Sequence, residues 1–355
     1  MSFQITSSLQ DNPYSTYLKY LFEQTSYTPF PDTIEVPNEA WFDYIDTLYQ
    51  AWNYNVPNKV VTNSIPVTNI VPSKEAIIGF SAGKDSASVA LALKDLNIKT
   101  TLYNVQGLNR SYGHEHSVAQ SFADKIGFPI VVNKLSYKGK ATATDPVVKN
   151  HLILAYMIGY MIEHNIGYCS LGEYPNLNLK DYALAYNTSD AYDLILKFEK
   201  AVQATFPQFK FFVLFNSQTH AYAYLVDKHY VYLDYTQSCL LPDRFRARVK
   251  AANEKKYNIQ LNDNRCLACY KCCHEALFLH MWKTKVLPKE AITKSLGIMR
   301  RDLDKMLDLP SSVIQVLSTE ELINKYIDVN EVIMYQKDKS LISSTLRLDG
   351  IKELL

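Results

Sequence analysis

The sequence predicts an α/β protein built on an open, doubly wound parallel sheet. From residue 73 onward, short apolar strands alternate with helices whose apolar residues recur at helical spacing, and the links between them are short. The predicted strands are EAIIGF, TTLYNVQG, PIVVNKL and IGYCSLGE. Ligands of such sheets bind beyond the carboxyl ends of the strands, so the turn after the first strand is a candidate binding site.

Changes in composition divide the chain into four predicted segments. Residues 1–72 form a helical extension rich in proline and aromatic residues, and residues 73–235 form the α/β domain. Residues 236–286 hold a cysteine cluster and a basic insert, and residues 287–355 form a second helical extension. This last segment is predicted to end in a strand-like stretch, NEVIMYQ.

The composition limits the classes of function. The chain has 37 Lys and Arg against 36 Asp and Glu, so its overall charge does not attract nucleic acid, although a local basic face still could. The most apolar run, LILAYMIGYMI, is too short for a bilayer, which needs about 20 residues. The first residues show no basic leader followed by an apolar core. These observations predict a cytoplasmic protein without membrane contact, whose six cysteines stay reduced.

The turn after the first strand looks like a P-loop but departs from that motif. A P-loop reads G-x-x-x-x-G-K-[ST], and its last hydroxyl binds Mg²⁺. Here only three residues separate Gly79 from Gly83, and Asp85 stands in the place of the hydroxyl. The sequence therefore excludes the usual P-loop.

The same turn carries groups that suit a phosphate. Small residues let backbone N–H groups surround an anion, and the amino end of the following helix adds partial positive charge. The hydroxyls of Ser81 and Ser86 can donate to phosphate oxygens, and Lys84 supplies a full charge. Asp85 would repel phosphate unless a cation lay between them, which indicates Mg²⁺ bridging to a diphosphate.

These residues resemble the S-G-G-x-D-S signature of the PP-loop ATP pyrophosphatases, which have the fold of the adenine nucleotide alpha hydrolases. Those enzymes cleave ATP between its α and β phosphates. The resemblance implies that Lys84 neutralises the leaving pyrophosphate and that Asp85 holds Mg²⁺. The residues implied to bind ATP are Ser81, Ala82, Gly83, Lys84, Asp85 and Ser86. Ala82 replaces the usual second glycine, which predicts an ordinary backbone angle there. A turn that is rich in small residues by chance is the alternative.

A cysteine-rich segment, RCLACYKCC, predicts a zinc-knuckle region. Its C-x-x-C-x-x-C spacing brings three thiolates together, and a tetrahedral structural zinc needs a fourth ligand. The predicted ligands are Cys239, Cys266, Cys269 and Cys272. Cys273 and His274 are alternatives for the fourth position. Four thiolates also suit an iron–sulfur cluster, but nothing else in the sequence indicates electron transfer, which favours zinc.

The order of the motifs is similar to that of the 7-cyano-7-deazaguanine synthases, the QueC family. These enzymes have a PP-loop followed by T-x-S-C and C-x-x-C-x-x-C, and the resemblance covers roughly residues 74–280. YGHEH at 112–116 resembles the family's Y-G-Q-R-H, Lys149-Asn150 its Arg-Asn, and Ser189-Asp190 its Y-P-D. The resemblance implies that His116 acts in catalysis and that Asn150 and Asp190 bind substrate. A surface position for His116 and a helix N-terminal carboxylate at 190 are the alternatives.

The resemblance implies an ATP-dependent ligase. Such an enzyme adenylates the carboxylate of a 7-deazaguanine-type substrate, as in queuosine biosynthesis, and uses ammonia or an amine donor to form an amide or a nitrile. The substrate would be a small-molecule carboxylate, and the cofactors ATP, Mg²⁺ and Zn²⁺. A homodimer is compatible with the sequence, which does not determine the oligomeric state.

Two other functions stay open. The first is a PP-loop enzyme that modifies a macromolecule, by tRNA thiolation or by deazapurine transfer onto nucleic acid or protein. The basic insert RFRARVK favours it, although such a run also fits a solvent-exposed helix face. Its charged residues are Arg244, Arg246, Arg248 and Lys250. The second is a non-catalytic module that binds nucleotide and zinc within an assembly.

Overall fold

A six-stranded sheet forms the centre of the protein, which we describe from a computed structural model. The described residues are 4–25, 32–51, 55, 57–107, 115–138, 147–175, 192–237, 239, 241–262, 264–306, 329–344 and 346–355. The strands are β1 (Gln4–Ser7), β2 (Thr33–Val36), β3 (Asn58–Val61), β4 (Ser73–Gly79), β5 (Lys99–Gln106), β6 (Ile130–Lys138), β7 (Ile166–Ser170) and β8 (Lys210–Phe211).

The helices of the described residues surround this sheet. They are α1 (Pro13–Thr25), α2 (Glu39–Ala51), α3 (Lys84–Asp95), α4 (Glu115–Ile126), α5 (Val147–Glu163), α6 (Tyr192–Gln203), α7 (Gln218–His229), α8 (Asp243–Tyr257), α9 (Tyr270–Met281), α10 (Lys289–Met306), α11 (Val329–Lys337) and α12 (Ser340–Ser344). None of these helices has the length and the apolar character that crossing a membrane requires.

The order of the strands in the central sheet is β1-β6-β5-β4-β7-β8. Every neighbouring pair is parallel except β1 with β6. From β4 the chain adds β5 and β6 on one side and then β7 and β8 on the other. The strand order therefore reverses at β4, and a crevice forms at the carboxyl ends of the strands beside such a switch point.

Helices cover both faces of the sheet, because successive strand residues point to opposite faces. Ile78 and Leu102 pack into a core that includes α3, α4 and α7. Ile77 and Tyr103 pack into a second core that includes α1, α2, α5 and α6. These layers confirm the predicted α/β class with a mostly parallel sheet.

The N-terminal residues contain strands as well as the predicted helices. Strand β1 pairs with β6 at the edge of the central sheet, and β2 and β3 form a separate parallel pair. Asn12 Nδ2 donates to the carbonyl oxygen of Ala155 at 2.9 Å, and the Tyr156 hydroxyl donates to Asp11 at 2.8 Å. These bonds attach the start of α1 to α5.

The prediction of a strand at NEVIMYQ is wrong, because these residues lie in helix α11. Val332 and Tyr335 are both buried, and the Tyr335 ring stacks on His220 of α7 with centroids 5.2 Å apart. Residues three apart share one face of a helix but lie on opposite faces of a strand. Only a helix can therefore bury both side chains against α7.

Candidate functional site

The turn after β4, residues 80–83, leaves the sheet at a fixed point. Phe80 N–H donates to the Tyr103 carbonyl oxygen at 2.8 Å, and the Phe80 carbonyl oxygen accepts from the buried Asn104 amide at 2.7 Å. Both partners belong to β5, the neighbouring strand. The sheet therefore positions the turn at the end of β4, the strand between β5 and β7 at which the strand order reverses.

Ala82 does not have the ordinary backbone angle that the sequence predicted. Its φ is +58°, in the left-handed region, which costs a residue with a Cβ about 1–2 kcal/mol. Two bonds hold the bend: the Ala82 carbonyl oxygen accepts from Gln237 N–H at 2.7 Å, and Gly83 N–H donates to Ser81 Oγ at 3.2 Å. The turn thus keeps the backbone shape that a glycine would give, at some cost in strain.

The amino end of α3 opens onto this turn. Gly83 is its N-cap residue and has no side chain that could accept from the first amides of the helix. Ser86 Oγ lies 3.4 Å from Ser81 Oγ and donates to the Gly83 carbonyl oxygen at 3.2 Å. Two hydroxyls and the amino end of a helix therefore converge, an arrangement that suits an anion.

Lys84 and Asp85 form an ion pair in the first turn of α3. Lys84 Nζ lies 3.0 Å from Asp85 Oδ2, and 7% of the Lys84 side chain is exposed against 31% for Asp85. The ammonium also lies 5.5 Å from the centroid of the Tyr222 ring. Because the positive charge is buried and the carboxylate reaches solvent, Asp85 is the member of the pair that can approach a hydrated cation.

Three neighbouring groups keep Asp85 ionised. Burial opposes its ionisation, but the charge of Lys84, a hydrogen bond from Tyr174 and the charge of Lys271 lower its pKa below the usual value. The Tyr174 hydroxyl donates to Oδ1 at 2.8 Å, and Gln218 Nε2 lies 3.5 Å from the same oxygen. An ionised, partly exposed carboxylate is the ligand type that Mg²⁺ prefers.

Gly172 allows the segment after β7 to touch the start of α3. A Cβ at this position would lie 2.7 Å from Ser86 N and 2.9 Å from two atoms of Asp85. Tyr174 follows two residues later and reaches Asp85. Neither residue was predicted to act at the site, although Gly172 lies near the end of the predicted strand IGYCSLGE and Tyr174 directly follows it. The carboxyl ends of parallel strands share one edge of the sheet, so this position placed both residues near residues 80–83.

Gln218 and Lys271 were also missed, and nothing in the sequence pattern pointed to them. Gln218 is the first residue of α7, and Lys271 lies on α9 between two of the cysteines. Helix α7 follows β8, a strand of only two residues that the sequence did not predict, and α9 follows another helix. Only the tertiary packing brings these side chains to Asp85.

Of the three residues matched to family motifs, the structure describes the side chain of one. Asn150 lies near the start of α5, is half-buried and donates to Glu173 Oε1 at 3.0 Å, next to Tyr174. It therefore lies at the same edge of the sheet as Asp85. His116 lies in the first turn of α4, but its side chain is outside the described part of the structure. Asp190 lies outside the described residues.

The structure brings the four predicted cysteines together. Their sulfur atoms all lie within 4.8 Å of one another, and all four residues are buried. A tetrahedral zinc with Zn–S bonds of 2.3 Å places sulfurs about 3.8 Å apart, so the cluster has the size of a site for one ion. An iron–sulfur cluster places iron and sulfide between its thiolates and needs them farther apart. In the described residues this group does not include Cys273 or His274.

Two backbone amides donate hydrogen bonds to the sulfur atoms of the cluster. Leu241 N–H donates to Cys239 Sγ at 3.4 Å, and Ala268 N–H donates to Cys266 Sγ at 3.3 Å. Such bonds stabilise thiolates and orient them toward a metal. Asn253 of α8 donates to the Cys266 carbonyl oxygen at 2.7 Å, which packs the basic helix against the cysteines. The donor set therefore fits Zn²⁺.

Helix α8 contains the basic insert and presents part of it to solvent. Arg244 and Arg248 are exposed, whereas Arg246 and Lys250 are half-buried. The Arg244 guanidinium lies 4.7 Å from the centroid of the Phe245 ring, which is 47% exposed. Further along the helix, Lys255 and Lys256 are also exposed. Arg244, Arg248, Lys255 and Lys256, together with Phe245, form the exposed basic face of α8.

Comparison with protein-family models and with curated protein sequences found no match to this chain. The chemistry of the turn and of the cysteine centre is therefore the basis for a functional proposal.

Proposed function

We propose that this chain is a QueC-like, PP-loop-type ATP-dependent ligase acting on the carboxylate of a 7-deazaguanine-type substrate. The observation that carries the proposal is the pairing of buried Lys84 with ionised Asp85 at the amino end of α3, at the carboxyl edge of the central strand β4. The motif resemblance supports formation of a carbon–nitrogen bond.

The turn provides separate groups for phosphate and metal. The amides of the α3 amino end and the hydroxyls of Ser81 and Ser86 would bind phosphate oxygens of ATP. Lys84 would exchange its contact with Asp85 for the β and γ phosphates. Asp85 would hold Mg²⁺, which would offset the negative charge of the phosphates. Catalysis of such a transfer is mainly positioning and stabilisation of charge.

The reaction we propose begins with attack of a substrate carboxylate oxygen on the α-phosphorus of ATP. The bond from the α-phosphorus to the oxygen that links it to the β-phosphorus breaks, and pyrophosphate leaves with that oxygen. Ammonia then attacks the acyl-adenylate carbonyl, and AMP leaves as the amide forms. In the nitrile-forming reaction, the amide oxygen attacks the α-phosphorus of a second ATP and pyrophosphate leaves. The C–O bond then breaks, AMP leaves with that oxygen, and the nitrogen loses its two protons to solvent. Asn150, at the same edge of the sheet, would contact the substrate.

The cysteine centre has a structural role in this proposal. Four thiolates fill the tetrahedral coordination of Zn²⁺ and leave no position for substrate. The ion would cross-link the segment around Cys239 to the start of α9, beside the turn.

Release of AMP and pyrophosphate from ATP with the free 7-deazaguanine carboxylic acid and ammonia tests the proposal. Lys84→Ala should lower the rate by about 10²–10³-fold, because an electrostatic contact to the leaving group is lost. Lys94→Ala is the matched control, since Lys94 lies at the other end of α3 and donates to the Ile126 carbonyl oxygen. Equal AMP release by Lys84→Ala and wild type would reject the proposal.

A macromolecular substrate is the second candidate, and the exposed basic face of α8 favours it. Exposed arginines beside an exposed aromatic ring are suited to phosphate contacts and to stacking on bases. AMP release that needs added RNA or protein, and that falls in Arg244→Ala/Arg248→Ala, would favour this candidate. ATP binding without AMP release under any of these conditions would indicate the non-catalytic module.

A further inference from the structure

Buried polar contacts connect the cysteine centre to the turn at 80–83. Gln237, two residues before Cys239, donates its N–H to the Ala82 carbonyl oxygen at 2.7 Å. Ala82 is the residue with the left-handed backbone. The segment that leads to the first metal ligand therefore also holds the strained residue of the turn.

Arg265 links this segment to the segment that contains the other three cysteines. It directly precedes Cys266, and its guanidinium donates to Thr236 O at 2.9 Å and to Thr236 Oγ1 at 2.8 Å. Its Nε forms an ion pair with Glu275 of α9, and 5% and 3% of the two side chains are exposed. An arginine guanidinium is charged at every ordinary pH, and the buried Glu275 carboxylate is its counter-charge. The guanidinium therefore stays charged and keeps its contacts to Thr236.

A single chain of contacts thus leads from the cysteines to the turn. Arg265 holds Thr236, and the next residue, Gln237, holds Ala82.

We propose that Arg265 is a positioning residue that couples Zn²⁺ binding at the cysteines to ATP binding at the turn. Zn²⁺ ties Cys239 to the other three thiolates and so fixes residues 236–237, which in turn hold Ala82. The inference rests on the proposed binding of ATP at this turn. Coupling of two sites is reciprocal, so each ligand should tighten the other by the same factor, on the order of tenfold.

Equilibrium competition with a zinc chelator of known affinity measures this coupling on the full chain. Mg²⁺ is kept in excess over ATP so that free ATP does not itself bind Zn²⁺. In wild type, saturating ATP should tighten Zn²⁺ binding roughly tenfold. Arg265→Lys keeps a charge opposite Glu275 but lacks the planar fork that reaches both Thr236 oxygens, so the effect of ATP should fall to about twofold or less.

A second pair of variants covers the case in which Arg265→Lys does not fold. Thr236→Val removes the hydroxyl that accepts from Arg265 and should also reduce the effect of ATP. Thr236→Ser keeps that hydroxyl and should restore it. Asn253→Ala is the control, because Asn253 holds the Cys266 carbonyl oxygen from α8. It should weaken Zn²⁺ binding by the same factor with and without ATP.

Direct titration of ATP into the zinc-loaded chain separates this inference from the proposed function. No ATP binding would overturn both. ATP binding accompanied by equal Zn²⁺ affinities with and without ATP would overturn the coupling alone. Full coupling in Arg265→Lys and Thr236→Val would show that Arg265 is not the positioning residue.

Discussion

The turn at 80–83, with the start of α3, and the cysteine centre are two ways of building a binding site. The turn uses consecutive residues at the end of one strand and the start of one helix, and the sheet supplies its position. The cysteine centre joins Cys239 to residues 266–272, with helix α8 between them. The position of the turn is therefore set by local sequence and sheet topology, whereas the centre exists only after distant segments have packed.

The two sites also differ in what opposes their formation. The turn contains a strained residue, Ala82, and a buried cation, Lys84, which hydrogen bonds and Asp85 offset. The centre gathers four buried thiols, which as thiolates would repel one another without a cation. We therefore expect the turn to keep its shape without ligand and the centre to depend on its metal.

Loss of the metal should have the largest effect. Cys266→Ser should weaken Zn²⁺ binding by more than about a hundredfold, which exceeds the usual cost of losing an outer-shell partner. Chelation of wild type should likewise unfold the segment around residues 239–281, because binding of a structural metal contributes to folding. Metal analysis and hydrogen exchange measure the two effects.

Cys273→Ala is the matched control for that experiment. Cys273 is buried beside Cys272 but packs in the core that contains α3 and α7. This variant should retain one Zn²⁺ per chain. Metal loss from Cys273→Ala would contradict the assignment of the four cysteines as the metal site. Full protection of residues 239–281 in the chelated chain would show that the cysteine centre does not depend on its metal.

Close packing at the turn predicts a smaller effect. Gly172→Ala should cost about 1–3 kcal/mol of the free energy of unfolding, because its Cβ would meet the backbone of Ser86 and Asp85. Gly297→Ala adds a Cβ that meets nothing within 4 Å in helix α10 and should stabilise by about 0.5–1 kcal/mol. Urea unfolding measures both changes. Equal changes in the free energy of unfolding for the two variants would contradict tight packing of Gly172 against Asp85.

Acid should reduce the contribution of Asp85 to the free energy of unfolding. Its pKa in the folded chain lies below the ordinary value of 3.8, so its ionised form contributes to stability above about that pH. The contribution is lost as the pH falls through the folded pKa. The difference in unfolding free energy between wild type and Asp85→Asn should be constant from about pH 6 to about pH 4 and shrink below. A difference that stays constant at lower pH would mean that Asp85 is not held ionised by its neighbours.

The smallest effect is expected at Ala82. Glycine at this position removes the left-handed strain of about 1–2 kcal/mol but adds about 0.5–1 kcal/mol of chain entropy and loses a buried methyl group. Ala82→Gly should therefore change the free energy of unfolding by no more than about 1 kcal/mol and keep ATP binding. Ala82→Val should lose clearly more, since a β-branched side chain tolerates this φ poorly. Equal stabilities of the two variants would show that the strain is absent.

Most of the fold could be predicted because its signals are local. Apolar runs such as Ala76–Ile78 and the helix that follows Gly83 are continuous in the sequence, and their alternation determines a parallel sheet. The error at NEVIMYQ arose because a short apolar segment fits both the strand and the helix periodicity. Burial of Val332 and Tyr335 against α7 favours the helix.

The candidate site divides in the same way. Ser81, Lys84, Asp85 and the four cysteines could be selected from the sequence, because their spacing is tied to the chemistry of phosphates and metals. The location of Tyr174 could be inferred from the strand before it, but its bond to Asp85, 89 residues away, could not. Gln218 and Arg265 could not be selected, since each contacts a partner that is distant in the sequence. A single sequence contains no spacing rule for such pairs.

The sequence by itself determined the strand-turn-helix unit at 73–95 and the grouping of Cys266, Cys269 and Cys272, because short-range periodicity and spacing suffice for both. The structure decided that Cys239, and not Cys273 or His274, completes the group. The tertiary structure decided that Ala82 takes a left-handed angle, that Tyr174 and Lys271 act on Asp85, and that the cysteines adjoin the turn. These features depend on packing between elements far apart in the chain, where backbone strain and buried charge are balanced by contacts that no local pattern specifies.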